Sequence, residues 1–142
     1  METGDREVSR EFWDYLDRLV ATSRVIVDHP RGSVDPRYTD IVYPADYGCL
    51  EGTASMDGAG IDVWVGASGD TRRVTAIICT VNLGKRDSEI KLLLGCSREE
   101  TAVILRQHNK PPRAASRTPP GTDPVPTGGP ACGRPRPRCA WR

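Results

Sequence analysis

The sequence predicts a small, mainly β protein of the α+β class, built as a barrel or curled sheet flanked by an N-terminal and a C-terminal helix. Three observations support this prediction. Short apolar and β-branched runs separated by turn residues fill the middle of the chain, an apolar stripe with helical spacing precedes them, and a capping box follows them. The 142 residues are enough for one domain.

Both helices are predicted from local signals. An apolar stripe predicts an amphipathic helix over residues 5–21, with the stripe facing a core. Ser97 and Glu100 have the spacing of a capping box, and acids near the start with bases near the end favour a helix from there to about residue 107. The N-terminal stripe consists of Phe12, Leu16, Leu19 and Val20.

Five stretches between the helices are typical of strands. They are residues 24–28, 40–43, 61–65, 73–81 and 89–95. In the third stretch, alternation places Asp62 and Trp64 on one face and the aliphatic side chains on the other. In the last stretch, Glu89 and Lys91 share a face, two strand steps or ~7 Å apart.

Charge and proline are unevenly distributed along the chain. Residues 110–142 contain nine of the twelve prolines, seven basic residues and one acid, whereas residues 1–109 contain 13 basic and 18 acidic residues. Because the C-terminal segment has few large apolar side chains, we expect a disordered Pro/Arg-rich tail after a folded domain of residues 1–109. The acidic body disfavours nucleic-acid binding.

The cysteines and the hydropathy exclude several classes. Five cysteines without a C-x-x-C pair, and only two histidines, argue against a zinc site. There is no signal peptide and no apolar run of about 18 residues, so the sequence predicts no membrane contact and a reducing cytoplasm. The oligomeric state is left open, a homo-oligomer included.

Acidic residues and one lysine gather around two of the predicted strands. They are Asp57, Asp62, Asp87, Glu89 and Lys91. Neighbouring carboxylates raise each other's pKa, and the usual chemical reason for gathering them is a divalent cation with hard oxygen ligands, such as Mg²⁺. The structural alternative is a hairpin turn at Asp57-Gly58, a strand edge at Asp62 and a surface ion pair between Lys91 and Glu89.

Four short motifs, in this order, resemble the family I inorganic pyrophosphatases. They are Val25-Ile26-Val27-Asp28-x-Pro30, Tyr43-Pro44-x-x-Tyr47-Gly48, Asp57-Gly58-x-x-x-Asp62-Val63 and Asp87-x-Glu89-x-Lys91. The resemblance covers roughly residues 24–95, about half the chain. It implies a five-stranded, OB-like barrel and Mg²⁺-dependent hydrolysis of a small-molecule substrate, inorganic pyrophosphate, to two phosphates.

The resemblance also implies roles for single residues. Asp57 and Asp62 would be catalytic metal ligands, with Asp62 bridging two ions. The other implied positions are Asp28, Asp87 and Glu89 for metal, Tyr47 and Lys91 for catalysis, and Arg37, Tyr43 and Lys91 for substrate. Each has a structural alternative: the two tyrosines as core aromatics, and Asp28 as the end of a strand.

Two departures from the family pattern bear on activity. Ala59 stands where the family has the middle aspartate, which takes the proton from the attacking water, and loss of a general base typically slows a reaction ~10²–10⁴-fold. The family's Tyr-Lys pair beyond the barrel also has no counterpart before the proline-rich segment. The sequence therefore predicts an impaired pyrophosphatase. The alternatives are a hydrolase of a different phosphoanhydride and a non-catalytic metal- and phosphate-binding protein of the same fold.

Overall fold

Two helices and six strands make up the part of the chain that the computed structural model describes, which is residues 2–118, with side chains from residue 10 to 117. The elements in chain order are α1 (Glu2–Ala21), β1 (Val25–His29), β2 (Asp46–Leu50), β3 (Asp62–Val65), β4 (Val74–Asn82), β5 (Asp87–Leu94), α2 (Arg98–His108) and β6 (Arg113–Thr118). The predicted mainly β, α+β class is confirmed.

The strands form one sheet in the order β1-β2-β3-β5-β4-β6. All neighbouring strands are antiparallel except β3 and β5, which are parallel. The chain passes from β3 to β4, and β5 then returns antiparallel to β4 and lies between the two. The sheet has one strand more than the five of the expected barrel. Within residues 2–118 its end strands, β1 and β6, do not pair with each other.

Each face of the sheet carries one helix. Leu16 and Val20 of α1 pack against one face, around Leu92. Ile104 of α2 packs against the other face, around Trp64 and other buried side chains. Burying a large aliphatic side chain of this kind contributes roughly 1.5–3 kcal/mol, so the two clusters hold the helices on opposite faces.

One member of the predicted α1 stripe does not face the core. Leu16 and Val20 are buried and Leu19 packs against them, as predicted, but Phe12 is 44% exposed. Its neighbour Trp13 packs against the core instead, and the Phe12 ring meets the indole edge-on at 5.5 Å. The prediction for Phe12 is therefore wrong, because the adjacent, larger ring occupies the buried position.

The predicted capping box at the start of α2 is confirmed. The Ser97 hydroxyl accepts a hydrogen bond from the amide of Glu100 (3.1 Å), and the Glu100 carboxylate accepts one from the amide of Ser97 (3.0 Å). In the part of the chain described, no helix has the length and apolar character needed to cross a bilayer.

β2 lies where the sequence predicts no strand. Its aspartate and glycine are poor strand formers, and glycine is required at position 48, because an added Cβ would lie 1.7 Å from the carbonyl oxygen of Ile26 on β1. The strand predicted over residues 40–43 is wrong: that stretch makes only an isolated bridge between Val42 and Val34.

β6 begins inside the segment predicted to be a disordered tail. Residues 113–118 pair with residues 77–82 of β4, so the order extends past residue 109. These residues have low hydrophobicity, so their composition does not predict a strand. They form one because the edge of β4 offers hydrogen-bond partners for their backbone. The disorder predicted for residues 119–142 lies outside the described residues.

Candidate functional site

A cavity of about 280 Å³ lies where the sheet meets the C-terminal end of α2. Its walls bring together seven of the nine residues singled out in the sequence: Tyr43, Tyr47, Asp57, Asp62, Asp87, Glu89 and Lys91. β3 and β5 are adjacent, and the register sets Asp62 beside Lys91. Residues that are distant along the chain therefore converge in one place.

Lys91 lies at the centre of the polar contacts and is 7% exposed. Its ammonium donates hydrogen bonds to Asp62 Oδ2 (2.6 Å), Glu89 Oε2 (3.2 Å) and the Tyr47 hydroxyl (3.2 Å). Burial alone would lower the pKa of Lys91, but Tyr47 and Asp62 outweigh burial and raise it. Lys91 is therefore a fixed positive charge in a buried pair, not part of the surface ion pair considered above.

Tyr43 is fixed by a carboxylate that sequence reasoning missed. The Tyr43 hydroxyl donates to Asp35 Oδ2 (2.7 Å), and Asp35 Oδ1 accepts from the amides of Arg37 (2.8 Å) and Tyr38 (3.0 Å). The bond from Tyr43, followed by the amide bonds, lowers the pKa of Asp35. Burial and then Asp35 raise the pKa of Tyr43 to about 12, so Tyr43 stays a donor. The pair Asp35-Pro36, which is typical of the start of a turn, was the sequence signal that could have pointed to this residue.

The two tyrosines also belong to a run of aromatic rings. Tyr43 stacks on His29 with ring centroids 4.4 Å apart, and Tyr47 contacts Trp64 at 4.6 Å. Desolvation of Tyr47 is the main reason that its pKa is raised. Tyr43 and Tyr47 therefore pack in the core, as in the structural alternative, and they also line the cavity. Their hydroxyls are hydrogen-bonded to Asp35 and Lys91.

Asp57 is both a turn residue and a cavity residue. Its Oδ1 accepts from the Ser55 hydroxyl (2.6 Å) and from the amide of Ala59 (2.9 Å), while Gly58 adopts φ 84°. These bonds, that from Ser55 first, lower the pKa of Asp57. Ala59 is exposed in the same turn and presents only a methyl group.

Two predicted residues do not reach the cavity wall. Asp28 is the extra residue of a β-bulge in β1, between two residues that pair with β2, and it is exposed. His29, not Asp28, is paired with Tyr47. Arg37 is exposed in the loop before β2. The strand pattern could not reveal the bulge that moves Asp28 out of register.

The cavity wall contains three basic residues that sequence reasoning did not select. They are Lys85, His108 and Arg113. Five carboxylates and three cationic side chains line the cavity, which leaves its wall negative. Among residues 10–117, no three His, Cys, Asp or Glu side chains lie close enough together to form a ready-made metal cluster.

His108 is buried and neutral. Its Nε2 accepts a hydrogen bond from the Trp64 indole (3.1 Å). Burial, and then the positive charges of Lys91 and Arg113, lower the pKa of His108 from 6.5 to about 4. The imidazole therefore serves as an acceptor that anchors α2 to β3.

His108 should make the stability of the protein depend on pH. The unfolded chain takes up a proton below about pH 6.5, whereas folded His108 stays neutral to about pH 4, so stability falls as pH falls through this range. The loss is on the order of 3 kcal/mol at most. We expect His108→Gln, which can still accept from Trp64, to reduce this loss in urea unfolding at pH 7, 5.5 and 4.5.

The other histidine provides a control for this experiment. His29→Gln makes the same chemical change at a position outside the α2 contact and should leave the acid-induced loss in place. Equal pH profiles for His108→Gln and the unsubstituted protein would contradict the assignment of this loss to His108.

Fold and cavity together define an α+β protein with an acidic, tyrosine-lined cavity on one face of its sheet. Similar solved structures include the inorganic pyrophosphatase of Helicobacter pylori (15% identity, 70% of this chain and 84% of that chain, TM-score 0.47). An inorganic phosphatase from Anaplasma phagocytophilum (14%, 67% and 81%, 0.49) and an inorganic pyrophosphatase from Coxiella burnetii (17%, 67% and 82%, 0.45) are also similar. No protein-family model matches the chain, and no curated protein matches its sequence. Identities of 14–17% with TM-scores below 0.5 do not assign the chain to a family.

Proposed function

We propose that the protein hydrolyses inorganic pyrophosphate to two phosphates with Mg²⁺, at a rate limited by Ala59. The observation that carries this proposal is the convergence of seven residues, chosen from the sequence alone, on one cavity. A reducing cytoplasm is the compartment we propose for this activity.

The charge of the cavity supports the need for a metal. Pyrophosphate is an anion, and a wall with five carboxylates against three cations repels it unless further positive charge is bound. The donor set fits Mg²⁺ in its chemistry, because carboxylate oxygens are the ligands that this ion takes in proteins. Mg²⁺ usually takes only one or two carboxylates and keeps several waters, so ions bound here would be divided among Asp57, Asp62, Asp87 and Glu89 and not held by a ready-made cluster.

Bound Mg²⁺ would neutralise phosphate charge and lower the pKa of a coordinated water. The chain's own residues supply orientation and fixed charge. The Lys91 ammonium, held by Asp62 and Glu89, has a raised pKa and can stabilise charge on a phosphate oxygen. The Tyr47 hydroxyl, whose pKa is also raised, keeps its proton and can orient a bound oxygen.

Proton removal is the weak part of this arrangement. The Ala59 methyl group cannot accept a proton, and the Asp57 carboxylate beside it already accepts hydrogen bonds from Ser55 and from the Ala59 amide. Slow turnover is the expected consequence.

The second candidate function is metal and phosphate binding without turnover. One observation favours it: the Asp62 oxygen 2.6 Å from Lys91 is already neutralised by an ammonium group, so Asp62 is a weaker ligand than a free carboxylate. Both candidates use the same cavity and differ only in whether the bound diphosphate is cleaved.

Two measurements separate these functions. The first is phosphate release from pyrophosphate with and without Mg²⁺. The second is calorimetric titration with methylenediphosphonate, a non-hydrolysable analogue. Mg²⁺-dependent release supports the hydrolase. Analogue binding without release supports the non-catalytic binder. Neither release nor binding by the folded protein would contradict both.

A further inference from the structure

The first residue of β6, Arg113, lies on the cavity wall although it belongs to the segment predicted to be a tail. Arg113 pairs with Asn82 of β4, and Asn82 pairs with Asp87 of β5, so these three residues lie side by side across the sheet. Two strand spacings, about 10 Å, separate the backbones of Arg113 and Asp87. The sheet register therefore fixes Arg113 at the same edge as the acidic residues.

The start of β6 is held firmly. The amide of Arg113 donates to the carbonyl of Lys110 (2.9 Å), and the amide of Leu83, in the turn after β4, donates to the carbonyl of Pro112 (3.1 Å). The backbone that carries the guanidinium is thus tied both to the end of α2 and to the β4–β5 turn. A fixed backbone reduces the entropy lost when a side chain binds a ligand.

The guanidinium of Arg113 lacks a carboxylate partner among residues 10–117, although five carboxylates line the same cavity. The side chain is half-buried. Its charge reaches the buried imidazole of His108, as does the charge of Lys91, so both cations act on the same part of the cavity. A half-buried guanidinium offers five N–H donors in a planar fork, the geometry that binds a phosphate group through two bonds.

We propose that Arg113 is a substrate-binding residue that holds a phosphate group of the diphosphate, at the same edge of the sheet as Asp87, one of the carboxylates that would hold metal. The inference rests on the proposed function, since the ligand is the diphosphate of that reaction. Lys85, an exposed cation on the β4–β5 turn that lines the same cavity, adds positive charge at this edge. β6 is then part of the binding site as well as the sheet.

The test compares two arginines of the same strand. Arg117 lies four residues further along β6, is exposed and does not line the cavity. Arg113→Gln and Arg117→Gln therefore make the same change in charge at a cavity position and a control position. Affinity for methylenediphosphonate with saturating Mg²⁺ is measured by calorimetry, and thermal unfolding confirms that each variant is folded.

We expect Arg113→Gln to weaken binding of the analogue ~10–100-fold, the effect of losing charged hydrogen bonds, and Arg117→Gln to leave it within about twofold. Arg113→Lys should recover part of the affinity, because the charge returns without the fork. Equal affinities for Arg113→Gln and Arg117→Gln, with binding intact in the unsubstituted protein, would overturn this inference alone. Absence of binding and of phosphate release in the unsubstituted protein would overturn the proposed function and, with it, the inference.

Discussion

Replacing Ala59 with aspartate is expected to raise the rate of Mg²⁺-dependent phosphate release from pyrophosphate by roughly 10²–10⁴-fold. The substitution adds a carboxylate that can take a proton from the attacking water, two residues from a carboxylate on the cavity wall, Asp57. The gain should appear mainly in kcat, because the added group acts on the reaction and not on uniform binding of the substrate.

The turn can accept this change without rearrangement. The Ala59 side chain is exposed, and its amide is already bonded to Asp57 Oδ1, so the backbone conformation does not depend on the methyl group. Stability should change by less than about 0.5 kcal/mol, as is usual for exposed positions.

Two control variants make the measurement specific. Ala59→Asn has nearly the same shape as the aspartate but is not a base at neutral pH. Ala54→Asp adds a carboxylate at another exposed alanine of the same loop. A comparable rate increase in either control would show that shape or added charge, not proton transfer, is responsible.

Replacing Lys91 with methionine is expected to have the largest effect on stability. The substitution leaves the carboxylates of Asp62 and Glu89, whose side chains are 27% and 17% exposed, without their cation. Removing one partner of a buried pair costs 3–5 kcal/mol, and the partial exposure here favours a loss of about 3 kcal/mol in the free energy of unfolding. The proposed diphosphate binding should be lost as well, because the fixed positive charge is gone.

A matched lysine and a compensating variant test the cause. Lys85→Met removes an exposed cation from the same cavity and should change stability by less than about 0.5 kcal/mol. Adding Asp62→Asn and Glu89→Gln to Lys91→Met should restore most of the stability but not the activity. If urea unfolding gives the same loss for both lysine variants, the buried ion pair does not stabilise the fold.

The parts of the fold that follow from local pattern were predictable. β3, β4 and β5 have apolar, β-branched sequences, and the predicted sharing of a face by Glu89 and Lys91 is matched by their 3.2 Å contact. α2 followed from its capping box. In each case the residues that fix the element lie within a few positions of one another, so a short window of sequence contains the information.

The parts that depend on a distant neighbour were not predictable in this way. β2 requires Gly48 because of the backbone of Ile26, and β6 requires the edge of β4. The same limit applies to the cavity: Asp35 and Arg113 reach it through a loop and a strand whose positions are set by tertiary contacts. Sequence motifs consist of residues that lie close together along the chain. Asp35 and Arg113 belong to none of these motifs, and only the folded structure brings them to the cavity.

The parallel pairing of β3 and β5 has a consequence for how the protein folds. Asp62 and Lys91 are 29 residues apart, and they meet only after β5 has been placed between β3 and β4. Contacts of this separation form late and slow the folding of β-rich chains, because loop closure must precede them. Recovery of the proposed diphosphate binding during refolding should therefore lag behind the recovery of helical circular dichroism. The rate at which binding returns would then report on assembly of the sheet.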